Sequence, residues 1–246
     1  MQRYFLEQPF DESGIARITG DDEKHITRVM RMEPGDRICC VWDGTGHIAE
    51  ISGIGPDGVT VTDTGLAAPA SELPVHVTLA CGLPKGDKLE MIAQKGTELG
   101  MSGLIPFQAE RSIAKWDEKK GAKKTGRLSK IAKEAAEQSH RSVIPAVGEP
   151  VSFGELLQLA GEFDVCLFAD EEEAKEGTSN KIAVRLQKVY HGQSILVLFG
   201  PEGGLSRAEA ERLIAAGFLP MSLGPRILRT ETAPLYVLSA MSYEFE

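Results

Sequence analysis

Two stretches of this 246-residue chain combine residue types that could hold a ligand against backbone and move a proton beside it. The first is Leu198-Phe-Gly-Pro-Glu-Gly-Gly-Leu-Ser-Arg-Ala-Glu209, where an apolar run ends in Gly200, Gly203 and Gly204 before Ser206 and Glu209 take the S-x-x-E spacing of a helix capping box. Glycines let backbone approach a ligand closely. The spacing is neither a dinucleotide fingerprint nor a P-loop, since no Lys-Ser/Thr follows, and taken alone it also reads as a tight strand-to-helix turn. The second stretch is Ser222-Leu-Gly-Pro-Arg-Ile-Leu-Arg-Thr-Glu-Thr-Ala-Pro234. Gly224-Pro225 turns the chain out of a strand, Pro234 restarts it as a helix, and Arg226, Arg229, Thr230, Glu231 and Thr232 lie between. A plain helix cap with an Arg229–Glu231 pair is the alternative, but two such loops together favour a site.

The elements that must position these loops are α/β in pattern. From Val75 onward, apolar runs at 75–81, 103–107, 165–168, 195–199 and 219–223 alternate with helical periodicity at 86–99, 123–140, 178–190, 206–216 and 233–245. This alternation predicts a mostly parallel sheet covered by helices on both faces, with chemistry in the loops after Cys81, Phe107, Phe168, Phe199 and Leu223. Residues 1–65 read instead as a small β barrel or sandwich, with strands at 37–42, 46–51 and 58–62 and one helix at 21–32 placing Ile26, Val29 and Met30 on one face. The proline-bearing stretch 66–74 has a linker's composition, so the expected domains are 1–70 and 74–246.

Net charge is −9, yet residues 111–141 hold ten Lys or Arg against four acids, a +6 segment in a chain that is −15 elsewhere. Such a concentration suits phosphate recognition, because local field and counterion release matter more than the total; a solvated helix face is the rival explanation. Lys119, Lys120, Lys123 and Lys124 surround Gly121 and suggest a mobile loop. The four cysteines and the histidines His47, His76 and His191 lack ligand spacing, so no metal is expected. No apolar run is long enough for a membrane helix and the first residues do not read as a secretory signal, which predicts a cytoplasmic protein with no membrane partner.

Five segments together resemble one family over essentially the full length. They are His25-Ile-Thr-Arg-Val-Met-Arg-Met-Glu-Pro-Gly-Asp36; Lys95-Gly-Thr-Glu-Leu-Gly100 followed by Glu110-Arg-Ser112; Glu137-Gln-Ser-His-Arg141; Phe199-Gly-Pro-Glu-Gly-Gly-Leu205 with Glu209; and Leu223-Gly-Pro-Arg-Ile-Leu-Arg-Thr-Glu-Thr-Ala233. The chain resembles the SPOUT-class RNA methyltransferases, most closely the RsmE family, which methylates N3 of a uridine in small-subunit (16S) ribosomal RNA. His140 and Ser142-Val-Ile-Pro145 depart from the family pattern in a region expected to touch RNA.

The resemblance implies an N-terminal PUA-like β barrel, a C-terminal α/β trefoil-knot domain that binds S-adenosyl-L-methionine without a metal, and a homodimer to which helix 233–245 contributes. It places Phe199, Gly200, Pro201, Glu202, Gly203, Leu223, Gly224, Ile227, Leu228, Thr232 and Ala233 around the cofactor. Because uridine N3 carries a proton, attack needs a general base or a stabilised uridinate anion. Arg229 could stabilise the anion, while Glu202 or Glu231 could take the proton or simply hold Arg226 or Arg229 in place; the base is left unassigned. His25, Arg28 and Arg31 of the small domain, with Arg111, Lys115 and Arg141 of the basic segment, are the expected RNA contacts, a clamp from two domains on 16S ribosomal RNA within a small-subunit particle. A SPOUT enzyme acting on a ribose 2′-hydroxyl or on transfer RNA, and a non-catalytic RNA-binding module, are the alternatives.

Overall fold

The first sheet is organised by its turns. In the computed structural model, which describes residues 1–170 and 181–246, Asp43 and Gly44 both take positive φ (45° and 73°). That is the backbone a two-residue hairpin needs to match strand twist. It joins β3 (Arg37–Trp42) to β4 (Thr45–Gly55) with Trp42 opposite Thr45. With β1 (Arg3–Phe5), β2 (Ile15–Ile18) and β5 (Gly58–Ala67) the order is β1-β3-β4-β5-β2, antiparallel except for β1 beside β3. Register shifts at Ile48/Ala49 and Ile51/Gly53 bend the long β4–β5 pair. The sheet therefore curls over Tyr4, Ile38, Cys40, Ala49, Ile51, Val59 and Val61 as a half-barrel whose edge strands β1 and β2 are not paired to each other among the described residues.

The helix expected at 21–32 is two short pieces, α1 (Gly20–Lys24) and a π-helical turn at His25–Val29. Met30 N–H reaches back to His25 O at 2.9 Å. The wider turn rotates the face: Ile26 stays in the core, whereas Val29 and Met30, expected beside it, are exposed.

The chain forms two compact units, Met1–Glu72 with Ala136–Val143, and Leu73–Ala135 with Ile144–Glu246. In the first unit, Glu72 accepts hydrogen bonds from the Arg141 guanidinium and from the N–H groups of Ser142 (2.7 Å) and Val143 (3.2 Å), and Arg3 donates to Ser142 Oγ at 3.1 Å.

In the second unit β6 (His76–Gly82), β7 (Gly103–Gln108), β8 (Ala146–Val147), β10 (Val165–Ala169), β11 (Ser194–Phe199) and β12 (Leu219–Met221) run in the order β12-β10-β11-β6-β7-β8. A short β9 (Val151–Ser152) pairs further along β7, and every pairing is parallel. Strand β11 shows why both faces are covered. Ile195, Val197 and Phe199 point into one core with residues of α2 (Lys88–Glu98), α3 (Glu118–Gln138), α5 (Ile182–Leu186) and α7 (Thr232–Phe245). Leu196 and Leu198 point into the other with α4 (Phe153–Leu159) and α6 (Arg207–Ala215). A sheet buried on both faces gains about 1.5–3 kcal/mol per large apolar side chain.

One expectation changes here. The lysines around Gly121 belong to the opening turns of the 21-residue α3, not to a loop. In α7 the side chains of Leu238 and Met241 fill the subunit's own core, which leaves Tyr236 and Tyr243 as its exposed aromatics. Of the helix expected at 178–190, residues 178–180 lie outside the described residues, as does the loop after Phe168 beyond Asp170.

Candidate functional site

The site is built where four loops leave the carboxyl ends of β6, β7, β11 and β12. Strands β11, β6 and β7 are neighbours, so their loops start side by side, with Phe199 opposite Cys81 and Gly82 opposite Phe107. The first two loops touch through backbone: a Cβ at Gly82 would fall 2.6 Å from Pro201 Cδ and 2.7 Å from Pro201 N. Only glycine permits that approach.

The loop after β11 is then fixed at several points. Ser206 and Glu209 form the expected capping box, Ser206 N–H donating to Glu209 Oε2 at 2.8 Å and Glu209 N–H to Ser206 Oγ at 3.2 Å. The remaining carboxylate oxygen of this buried glutamate accepts Glu110 N–H at 2.8 Å, which ties the loops after β7 and β11 together. Arg111 Nη1 donates to the carbonyls of Gly203 (3.2 Å) and Leu205 (3.3 Å). A Cβ on Gly203 would sit 3.0 Å from Arg111 Cβ, and one on Gly200 3.0 Å from the backbone of Gly204 and Leu205. The glycines here serve packing of the loop on itself and on Arg111. Phe199 and Pro201 are buried, so Phe199 offers a ligand its backbone only.

The carboxylates expected to hold arginines hold a lysine instead. Lys88 Nζ lies 2.8 Å from Glu202 Oε1 and 3.6 Å from Glu231 Oε2, and Glu202 Oε1 also accepts Lys85 N–H at 3.0 Å. Burial works against the charge on Glu202, but the hydrogen bonds from Lys88 and from backbone N–H groups outweigh it and hold the carboxyl below the ordinary glutamate range. The hydrogen bond to Glu202 in turn raises Lys88 above the ordinary lysine value. Glu231 Oε2 is buried and makes an ion pair but no hydrogen bond among the described residues.

The loop after β12 is more open. Gly224 N–H bonds to Ser222 Oγ at 3.3 Å, and Arg229 O accepts Thr232 N–H (2.8 Å) and Ala233 N–H (3.0 Å) at the start of α7. Pro225, Arg226, Ile227 and Arg229 are exposed between these ends; Leu223 packs against the core, and Leu228 is half-buried.

The basic residues divide. Lys115 is exposed, whereas Lys124 and Arg127 lie on Glu90 at 3.5 and 2.6 Å. In the first unit Arg28 and Arg31 are exposed, Arg31 with φ of 53°, and His25 Nδ1 is 3.0 Å from Tyr4 Oη. Arg141, expected at an RNA surface, is 2% exposed and committed to Glu72. Lys85, Lys88, Gly82 and Glu110 were missing from the sequence-based site. The signal was Lys85-Gly-Asp-Lys88 at the end of a predicted strand, in a loop already marked for chemistry. Burial pushes Cys81 up to about 12 and Cys166 up to about 11, so neither offers a thiolate. Among the described residues no group of three or more His, Cys, Asp or Glu could hold a metal.

Known proteins match this chain over nearly its whole length. A family model for an RNA methyltransferase domain covers residues 71–242, and one for an RNA methyltransferase PUA domain covers residues 18–64. The chain is 50% identical to ribosomal RNA small subunit methyltransferase E of Bacillus subtilis, over 100% of this chain and 98% of that protein. It is 34% identical to the protein of the same name from Synechocystis, over 89% and 69%. Among solved structures, ribosomal RNA small subunit methyltransferase E from Neisseria gonorrhoeae, bound to S-adenosyl methionine, superposes with a TM-score of 0.86 at 27% identity, over 100% and 98% of the two chains. A parallel sheet covered by helices on both faces with a glycine loop at its carboxyl edge, a curled PUA-type sheet, and a relative that is 50% identical over the whole chain leave one family, and the chain belongs to the ribosomal RNA small subunit methyltransferase E family of RNA methyltransferases.

Proposed function

We propose that this chain transfers a methyl group from S-adenosyl-L-methionine to N3 of a specific uridine in 16S ribosomal RNA, as a homodimer acting in the cytoplasm on RNA within a small-subunit particle. The observation that carries the reading is the loop 199–206, its backbone held by Arg111 and Glu209 beside the Lys88 carboxylate cluster, in a chain that aligns throughout with the Neisseria enzyme bound to S-adenosyl methionine.

The residues suit that cofactor. It is a sulfonium with an ammonium group, and Glu202 and Glu231 carry two negative charges against the single positive charge of Lys88. The buried Glu231 oxygen can still accept a hydrogen bond. The cofactor supplies an electrophilic methyl; the chain's work is to align the acceptor and handle a proton. Backbone groups of residues 199–203 and 223–228, with Thr232 and Ala233, bind the adenosine and methionine parts. Arg229, exposed and bonded only through its carbonyl among the described residues, stabilises the uridinate that forms as N3 gives its proton to solvent water or hydroxide, and N3 then takes the methyl as the sulfonium leaves as a neutral thioether. Glu202 and Glu231 act on the cofactor and on the geometry, because both are already committed to Lys88.

Arg28, Arg31 and His25 in the first unit and Lys115 in the second supply RNA contacts, and Arg111 reaches RNA only if it releases the Gly203 and Leu205 carbonyls. Tyr236 and Tyr243 on α7 are the aromatic surface offered to a second copy. No helix among the described residues is long and apolar enough to cross a membrane. The test is to incubate the protein and S-adenosylmethionine with small-subunit particles, free 16S RNA and transfer RNA, and to map modified nucleotides by mass spectrometry. A single N3-methyluridine in 16S RNA is the expected product. A methylated ribose or transfer RNA overturns the assignment.

A further inference from the structure

Lys88 occupies a place that helix electrostatics disfavour. It is the first residue of α2, where the macrodipole presents positive charge and acidic residues are the favoured occupants. The rest of that end is paired elsewhere: Asp87 and Glu90 face Lys124 at 3.9 and 3.5 Å, and Glu90 also takes Arg127. The Lys88 ammonium is directed to two carboxylates remote from it in sequence, Glu202 from the loop after β11 and Glu231 from the loop after β12. These loops carry the residues assigned above to the methyl donor, and one lysine spans both.

We infer that Lys88 is a positioning residue for methyl transfer, setting the spacing between the loop at 199–206 and the loop at 222–231 and orienting the Glu202 and Glu231 side chains toward the cationic methyl donor. The inference rests on the reading of the site as a S-adenosylmethionine site. Other charged groups around the cluster do not replace it. Lys85 contributes its N–H to Glu202, and Arg111 is engaged with the carbonyls of Gly203 and Leu205. Arg229 is tied to α7 through its own carbonyl. Charge on Glu202 is present above its depressed pKa and lost as pH falls through it. Removing Lys88 raises that pKa, so donor binding should fail at a less acidic pH than in the wild type.

The test uses the full chain and S-adenosylmethionine itself, titrated calorimetrically from neutral pH into the acid range. Lys88→Met makes the cluster more negative but frees both carboxylates, and the lost positioning should outweigh the added charge. It should raise Kd by about tenfold at neutral pH and move the acid limb toward neutrality, while Lys88→Arg, which keeps the charge, should recover most of both. Equal Kd and an equal acid limb in Lys88→Met, with the wild type binding normally, overturn the role of Lys88 and leave the cofactor reading standing. A wild-type protein that gives no binding heat overturns the cofactor reading and this inference with it. If circular dichroism shows that Lys88→Met does not fold, Glu202→Gln and Glu231→Gln carry the test. Each should weaken binding, Glu202→Gln should also flatten the acid limb, and unchanged binding in both overturns the proposal.

Discussion

The loops after β11 and β12 leave strands on either side of β10 and are held in different ways. Residues 200–206 are tied to three other segments: to Gly82 by backbone packing, to Glu110 through Glu209, and to Lys85 and Lys88 through Glu202. Arg111 closes the loop over its own carbonyls. Residues 223–228 make one described hydrogen bond, from Gly224 N–H to Ser222, and leave Ile227 78% exposed. One loop has its backbone fixed before any ligand arrives, which lowers the cost of ordering it on binding. The other keeps its cationic and apolar side chains free for a surface that comes from outside. A methyltransferase has both needs, a small donor that requires a rigid seat and a large RNA that must be met and released.

The rigid side of this comparison should break first and hardest. Gly82→Val forces a branched side chain into Pro201, where backbone rather than a flexible tip stands in the way. The expected loss is about 3 kcal/mol, or a melting temperature lower by roughly 6 to 12 °C, together with loss of S-adenosylmethionine binding. An unchanged melt would mean that the two loops separate in solution. Glu209→Ala comes next. It leaves the N–H groups of Ser206 and Glu110 without their acceptor and should cost about 2 kcal/mol by denaturant titration, with Glu209→Gln intermediate.

How legible these loops were in the sequence follows from their chemistry. The apolar runs at 75–81 and 195–199 announce buried parallel strands because both faces of each must be apolar, and Ser206–Glu209 announces a helix start because a capping box is local. Lys88 was invisible as a partner of Glu202 because 114 residues separate them and ion pairs leave no periodicity. The same holds for Arg141, whose basic neighbourhood suggested RNA although Glu72 buries it. Short elements such as β8, β9 and α4 lack the length for a pattern, and the π-turn at 25–29 breaks the 3.6-residue period that placed Val29 and Met30 inside. The threading of a trefoil knot has no periodic signature at all; it entered as an implication of family resemblance.

On the open side, changes should leave stability alone and act on function. Arg229→Ala removes an exposed side chain, so unfolding should change by no more than about 0.5 kcal/mol. If the guanidinium stabilises the uridinate, turnover should fall by about tenfold or more while RNA affinity holds. The residual turnover should rise with pH as hydroxide makes the anion more accessible. A variant with normal turnover returns Arg229 to a capping role at α7.

Arg111 and Ile227 sharpen the boundary between the two loops, with smaller effects. Arg111→Ala should weaken donor binding by about fivefold, near 1 kcal/mol, because the Gly203 and Leu205 carbonyls lose their donor. If Arg111 instead serves RNA, donor affinity stays intact and the slope of log affinity against log salt falls by roughly 0.7 to 0.9. Ile227→Ala should be the mildest. At 78% exposure its side chain buries too little to matter for folding, so the melting temperature should not move. Any contribution has to come from apolar area covered when a ligand arrives, and partial coverage of one isoleucine amounts to about 0.5 kcal/mol, a two- to threefold rise in Kd for the donor or the RNA. A melting temperature lowered as far as in Glu209→Ala would show that the second loop is packed against something in solution, and the contrast between a fixed loop and an open one would disappear.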